Sequence, residues 1–308
     1  MRKILSALSV GVILTLAACS EASSPSSVAA PTSAAPAFPV TIEAANGPVT
    51  IQERPDAIVS LSPTATEMLF AIGAGDQVIA ADDYSDYPPE APTTDLSGFE
   101  PNVEAIAGYS PDLVIVQGDP GGVEKGLEAL DIPVLVQPAA VTIDDSYEQM
   151  AALGRATGTA ETAGAAIAQM RADIDAALAA AADGAGMTVY HELDDTYYSV
   201  TSDTFIGQIY ELFGMTNIAD EAKGAASGYP QLSAEYIVEA DPDLIVLADT
   251  VCCGQDADTV AARDGWGSIA AVEDGGVVAV DDSIASRWGP RIVEFIEAVS
   301  AAVQEQTA

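Results

Sequence analysis

Basic residues are scarce. The 308-residue chain carries 10 Lys and Arg against 47 Asp and Glu, a formal net charge of −37. Nucleic acid is excluded as a partner, because holding a phosphate backbone needs basic patches. Direct adsorption on anionic lipid is disfavoured for the same reason. Histidine is scarcer still. A single His191 cannot supply the several imidazoles that zinc or manganese receptors gather, and its place in an apolar strand marks it as structural. The chain has no CxxC pair, no nucleophile elbow and no phosphate-binding glycine loop, so no catalytic residue and no metal ligand is assigned. The different-class alternative is an enzyme using Cys252 or Cys253 with His191 as base. A bare ferric-ion binder could use Tyr197 or Tyr198, although neighbours in a strand face opposite ways.

The apolar run from Ile4 to Ala18 is shorter than the roughly 20 residues that cross a bilayer. It follows Arg2 and Lys3 and ends in Leu16-Ala17-Ala18-Cys19. Small residues before a cysteine at the end of an export signal resemble the bacterial lipobox, which implies cleavage before Cys19 and its acylation. Residues 20–37 are Ser/Ala/Pro-rich and cannot bury a core, so they read as a flexible tether. A tethered export product works outside the cytoplasm, anchored to the outer face of the bacterial cytoplasmic membrane, where adjacent cysteines can oxidise.

What is present is a pattern stated twice. Residues 104–114 read EAIAGYSPDLV and residues 235–245 read EYIVEADPDLI. Glu104, Ile106, Pro111, Asp112 and Leu113 recur at a constant offset as Glu235, Ile237, Pro242, Asp243 and Leu244. Each copy is an amphipathic stretch with a glutamate, a Pro-Asp corner and a buried strand. A looser echo pairs SLSPTATEMLFAIG (60–73) with SVTSDTFIGQIYELFG (199–214). Two similar α/β halves imply two lobes with a cleft between them, where ligands prefer to bind.

The coarse elements agree. A hairpin is expected over Val40 to Ile51 around Asn46-Gly47. Short strands are expected at 57–61, 77–81, 113–117 and 134–137, then at 187–191, 197–201, 243–248 and 276–280. A helix opens after Ser62-Pro63, with Thr64 as N-cap and Glu67 as its capping-box partner, and Gly73 closes it. From about 144 to 182 the chain is helical and alanine-rich, interrupted at Gly158-Thr159. Residues 159–182 would span ~36 Å as a strut between the lobes, or pack as an ordinary helix of one of them. The closing helix is 290–304. The expected fold class is α/β, with two Rossmann-like lobes of mostly parallel sheet joined by a single long helix. The lobes are placed at 38–143 and 183–308 with the linking helix at 144–182.

RPDAIVSLSPTATEMLFAIGAGDQVIAADDYSDYPPEA (54–91) resembles the opening of the cobalamin and ferric-siderophore substrate-binding proteins of ABC importers. The hairpin, the Glu-Pro-Asp repeat, the helical strut and the Pro-Arg corner at 290–291 fall in the order of that family. The likeness covers residues 38–304. It implies two Rossmann-like lobes, little hinge motion, no enzymatic activity and no covalent cofactor. The implied ligand is a metal chelate, a corrinoid first and a ferric siderophore or haem next. The implied partners are an ABC permease dimer and its ATPase subunits, with the receptor a monomer. Glu104 and Glu235 match the glutamates that pair with permease arginines in that family, and a pseudo-twofold pair suits a twofold partner.

The resemblance also suggests the cleft residues. Tyr84 or Tyr87 corresponds to an aromatic that packs on the ligand. Phe99 lies near an aromatic position, with the chain one residue shorter there. Tyr229 has the right offset before Glu235. Asp282 and Arg287 correspond to polar ligand contacts in DDSIASRWGPR (281–291), where Trp288 stands between Arg287 and Arg291. Arg291 could instead pair internally. Cys252-Cys253 departs from the family pattern. A vicinal disulfide is the first expectation, ahead of free thiols or thiolate metal ligands.

Overall fold

The computed structural model describes residues 38–181 and 184–307. The expected export signal, Cys19 and the tether lie outside the described residues. The chain enters through Val40–Ala44 (β1) and Gly47–Ile51 (β2), an antiparallel hairpin. Its two-residue turn is Ala45-Asn46, one position earlier than expected, and Gly47 (φ 98°) opens β2. Asn46 is not a free turn residue. Its Nδ2 donates to the Val134 carbonyl at 3.0 Å and its Oδ1 accepts from Val136 N at 3.2 Å, which fastens the hairpin to the first sheet.

That sheet is built from Ile58–Leu61 (β3), helix Pro63–Ala71 (α1), Val78–Asp82 (β4), Thr93–Leu96 (β5), Val103–Ala107 (α2), Leu113–Val116 (β6), Val123–Glu128 (α3) and Val134–Val136 (β7). Its strands are all parallel, in the order β5-β4-β3-β6-β7. Ile143–Thr157 (α4) and Ala160–Ala180 (α5) follow. The second lobe contains Thr188–Glu192 (β8), Phe205–Leu212 (α6), Thr216–Asn217 (β9), Ala234–Ala240 (α7), Leu244–Leu247 (β10), Thr250–Cys253 (α8), Ala257–Ala261 (α9), Ala270–Glu273 (α10), Val277–Ala279 (β11), Asp282–Ser286 (α11) and Ile292–Thr307 (α12). Its parallel order is β11-β10-β8-β9. Read backwards, that is the order β4-β3-β6-β7 of the first lobe. The repeat in the sequence is therefore a repeat of topology.

The Pro-Asp corners explain why those residues recur. Asp112 Oδ2 and Oδ1 accept from the backbone N–H groups of Asp56 and Ala57, at 3.0 and 3.1 Å, just before β3. Asp243 Oδ2 accepts from Thr188 N and Oγ1, at 2.7 and 2.8 Å, at the start of β8. Each aspartate ties the beginning of its own strand to the beginning of the central strand beside it, satisfying backbone donors that would otherwise lack partners. α1 and α6 also correspond, each closed by a left-handed glycine, Gly73 (φ 78°) and Gly214 (φ 71°).

Among the described residues there are three apolar clusters. One fills the outer face of the first sheet, around Val59, Val114 and Val116, and another fills that of the second, around Tyr190, Ile245 and Trp266. The largest runs without a break from Ile58, Met68 and Leu113 through α4 and α5 to Val189, Leu244 and Phe295. A core shared by both lobes resists their separation, because moving them apart exposes apolar surface at roughly 25 cal/mol per Å².

Several local expectations are corrected. Ser62, not Thr64, caps α1, because Pro63 fills the first helical position, where no N–H is needed; Ser62 Oγ accepts from Ala65 N at 3.3 Å. Glu67 therefore sits two residues too deep for a capping box and faces the other lobe. The interruption expected at Gly158-Thr159 is present, and it makes two helices of the expected single linking helix, because Gly158 takes a left-handed conformation (φ 77°) and turns the chain back. α4 lies against α1 and β1 of the first lobe and along α5, leaving α5 between α4 and α12. Its 21 residues are about 31 Å long. Close approach accounts for the small side chains, since a Cβ on Gly154 would fall 2.5 Å from that of Ala163. Residues 197–201 are not a sheet strand. Tyr197 takes a left-handed conformation (φ 69°), and only a single bridge, Tyr198 with Gln231, forms there. The short edge strands β5 and β9 were not anticipated, because TTDL and TN carry little apolar alternation.

Candidate functional site

In open parallel sheets, ligands collect at the carboxyl ends of the strands. A cavity of about 540 Å³ lies there in the first lobe. Its floor is Leu61 at the end of β3, Asp82 at the end of β4, and Gln117-Gly118 after β6. Tyr84 and Phe99 form an aromatic wall, edge to face at 5.6 Å between ring centroids. Both rings are well exposed, at 57% and 74%, an unusual state for large apolar surface without a partner. The second lobe closes the other side with Asp282 and Ser286 of α11 and with Arg287 and Trp288. Five expected ligand residues, Tyr84, Phe99, Asp282, Arg287 and Trp288, therefore meet at one cavity.

The remaining two do not line it. Tyr87 lies under the Arg291 guanidinium, 4.2 Å from ring centroid to Cζ, where its π-face is already occupied. Tyr229 is exposed on the loop before α7, outside the cavity lining. Two of the polar residues are also more committed to the protein than expected. Asp282 accepts from the backbone N–H groups of Val251 and Cys252, at 2.9 and 2.7 Å, and so caps α8. Arg287 donates through Nη1 to Glu67 (2.8 Å) and Asp86 (2.9 Å), and through Nη2 to the Tyr84 carbonyl (3.0 Å).

Arg287 belongs to a clamp between the lobes. Arg291 also holds Glu67, through Nε to Oε2 at 3.1 Å and Nη2 to Oε1 at 2.6 Å. Both guanidiniums are 12% exposed and the Glu67 side chain 1%, so one buried carboxylate faces two nearly buried cations. Trp288 adds two neutral contacts to α4. Its indole N–H donates to Gln149 Oε1 at 3.0 Å, and its carbonyl accepts from Ser146 Oγ. Glu67 escaped the sequence reading because its spacing fitted a cap. It lies opposite the apolar stripe of Ala65, Met68, Leu69 and Ile72, so no local pattern marked it as buried.

Asp82 was also missed. It is the last residue of a buried strand, where an acidic side chain has no packing role, and that misfit was the signal. Ser85 Oγ donates to its Oδ1, and Thr66 links Ser85 to Ser60 at 2.9 Å on each side. Burial pushes the Asp82 carboxyl up to about 6, against the lowering effect of the Ser85 bond.

The matching strand ends of the second lobe hold a different cluster. Glu192 ends β8 and receives both Nη atoms of Arg263, each at 2.6 Å, while Tyr190 Oη donates to it at 3.1 Å. Arg263 in turn lies 4.5 Å over the Trp266 ring. Asp249, beyond β10, is buried, and among the described residues no side chain donates a hydrogen bond to it. Burial first, and the neighbouring Glu192 second, raise its carboxyl to about 7. Cys252 and Cys253 form a disulfide exposed at the end of α8.

His191 points to the opposite face. Its Nδ1 meets Tyr210 Oη at 2.6 Å, its ring packs on Phe295, and burial lowers its pKa to about 3. It stays neutral and makes no contact with either cysteine. Tyr197 packs on Trp266 with centroids 5.6 Å apart, whereas Tyr198 faces solvent. Among the described residues no three His, Cys, Asp or Glu side chains converge as a metal cage.

Glu104 and Glu235 occupy the same position, the second residue of α2 and of α7. Asn102 and Ser233 cap the two helices, accepting from Ala105 N (2.9 Å) and Tyr236 N (3.2 Å). Both glutamates are exposed, and neither has an ion-pair partner among the described residues.

Two parallel-sheet lobes on a shared core, with an aromatic-walled cavity where they meet, define a two-lobed α/β ligand receptor. Residues 58–284 match the model of the periplasmic binding protein family, and the chain belongs to that family. A cobalamin-binding protein of Halobacterium salinarum is 36% identical over 285 residues, covering 88% of this chain and 75% of its own. An uncharacterized ABC transporter substrate-binding lipoprotein of Bacillus subtilis, YvrC, is 31% identical over 281 residues, covering 88% and 87%. The crystal structure of the periplasmic vitamin B12 binding protein BtuF of Vibrio cholerae superposes with a TM-score of 0.66 at 23% identity, covering 82% of this chain and 98% of its own. These relatives are binding and transport proteins, and the family works outside the cytoplasm. Among the described residues no helix is long and apolar enough to cross a membrane.

Proposed function

We propose that this protein is a lipid-anchored receptor that captures a corrinoid outside the cytoplasm and delivers it to an ABC permease. The observation that carries the reading is the cavity between the lobes, of about 540 Å³, with Tyr84, Phe99 and Trp288 around it. Wide, stiff aromatic surface suits one face of a macrocycle, and the volume is in the range of small-molecule sites. The name of the Halobacterium relative supports the same ligand class. The lipobox-like Leu16-Ala17-Ala18-Cys19 supports the anchor. Paired exposed carboxylates at Glu104 and Glu235 support a twofold partner carrying positive charge. Tyr229 stands on the loop before α7 as Phe99 stands before α2, so it joins the ligand from the second lobe once the cavity is filled.

The test is an equilibrium titration followed by Trp288 and Trp266 fluorescence and confirmed by calorimetry. The panel is cyanocobalamin, cobinamide, a ferric hydroxamate, a ferric catecholate and haem. A corrinoid binding tightest supports the reading. Tighter binding of haem or a siderophore replaces the ligand and keeps the receptor, and no binding at all overturns it.

A further inference from the structure

The charged groups around the cavity are unequally available to a ligand. Apart from Arg287, no Lys or Arg among the described residues lines it. The Arg287 cation is already neutralised from within, by Glu67 and Asp86 at 2.8 and 2.9 Å. Asp282 is committed to the backbone of α8. Asp82 differs from both. Ser85 Oγ donates to Oδ1, and no other side chain among the described residues donates to the carboxylate. Its Oδ2 lies behind Gly98, where a Cβ would come within 2.8 Å of that oxygen and 2.8 Å of the Leu61 carbonyl oxygen. Asp82 is thus a nearly buried carboxylate, 1% exposed, in the cavity lining, with glycine rather than a side chain packed against its Oδ2. A carboxylate or catecholate at the edge of a ligand would meet like charge there and find no free cation.

We propose that the cavity selects a chelate whose periphery carries N–H donors and no net negative charge, and that Asp82 is the side chain that enforces this choice. The inference rests on the receptor reading above and narrows its ligand. Primary amides on a corrinoid and an ammonium on a hydroxamate siderophore share the required chemistry. Tricatecholate complexes and the propionates of haem lack it. The chain's charge of −37 adds long-range repulsion of anions, screened by salt.

The test compares chelates that differ only at the periphery, on the full-length protein at physiological ionic strength. Cyanocobalamin is set against its peripheral monocarboxylic acids, and ferrioxamine B against its N-succinyl derivative. The carboxylate member of whichever pair binds is expected to be about tenfold to a hundredfold weaker, the size of a lost charge-assisted hydrogen bond. Asp82→Asn, checked for folding by its melting curve, is expected to shrink that ratio selectively. Equal or tighter binding of the carboxylate member overturns the inference and leaves the receptor reading standing. An unchanged ratio in Asp82→Asn overturns the role of Asp82. If the variant does not fold, the wild-type pair still decides the charge rule. Absence of binding by every chelate overturns the receptor reading and this inference with it.

Discussion

Glu67→Gln removes the anion from the interlobe clamp and leaves the side-chain volume almost unchanged. The carboxylate meets Arg287 at 2.8 Å and Arg291 at 2.6 Å, with the Glu67 side chain 1% exposed and each arginine 12%. At an effective dielectric of about 20, unit charges about 4 Å apart attract by roughly 4 kcal/mol before desolvation is counted. Removing one partner of a buried pair strands the other, at a net cost of about 3–5 kcal/mol. At about 2–4 °C per kcal/mol for a fold of this size, the melting temperature should fall on the order of 10 °C. Urea unfolding followed by Trp288, which stands beside the clamp, measures the loss. A double-mutant cycle with Arg291→Met isolates the pair, and the two changes together should cost clearly less than their sum. A loss below about 1 kcal/mol, the value of an exposed pair, or strict additivity would refute the view that this clamp fixes the spacing of the lobes.

Three further outcomes are expected. Asp249 releases its proton near 3.8 in the unfolded chain and near 7 in the fold, so the folded state binds more protons between those values and loses stability as pH rises through them. Asp249→Asn should match the parent near pH 4 and melt higher at pH 8, and parallel melting curves across that range would contradict the assignment. Gly154→Ala places a methyl 2.5 Å from Ala163 Cβ. Overpacking should cost about 1–3 kcal/mol despite better helix propensity, and a raised melting temperature would show that α4 and α5 separate easily. Reversing the charge at both Glu104 and Glu235 should abolish uptake in cells while leaving ligand affinity and stability intact. A fall in affinity would show that these residues do not serve the permease.

The class of the fold is legible in the sequence alone, because that information is local and periodic. Buried strands such as Leu113–Val116 and Leu244–Leu247 are continuous apolar runs, and left-handed glycines end α1 and α6. The Pro-Asp corners repeat because Asp112 and Asp243 do the same backbone work in each half. Residue types that line a cleft were legible too, and Tyr84, Phe99, Arg287 and Trp288 do converge.

Which partner each polar side chain takes is set by contacts that form between distant parts of the folded chain. Glu67 lies 220 residues from Arg287, and its local spacing pointed to a helix cap. Asp282 looked free for ligand, yet the backbone of α8 reaches it first. Asp82 became a feature of the site only when Gly98 was brought beside it. Periodicity reports which face of an element is buried. It carries no information on what covers that face, and the sequence-distant contacts that answer this exist only once both lobes have closed on one core.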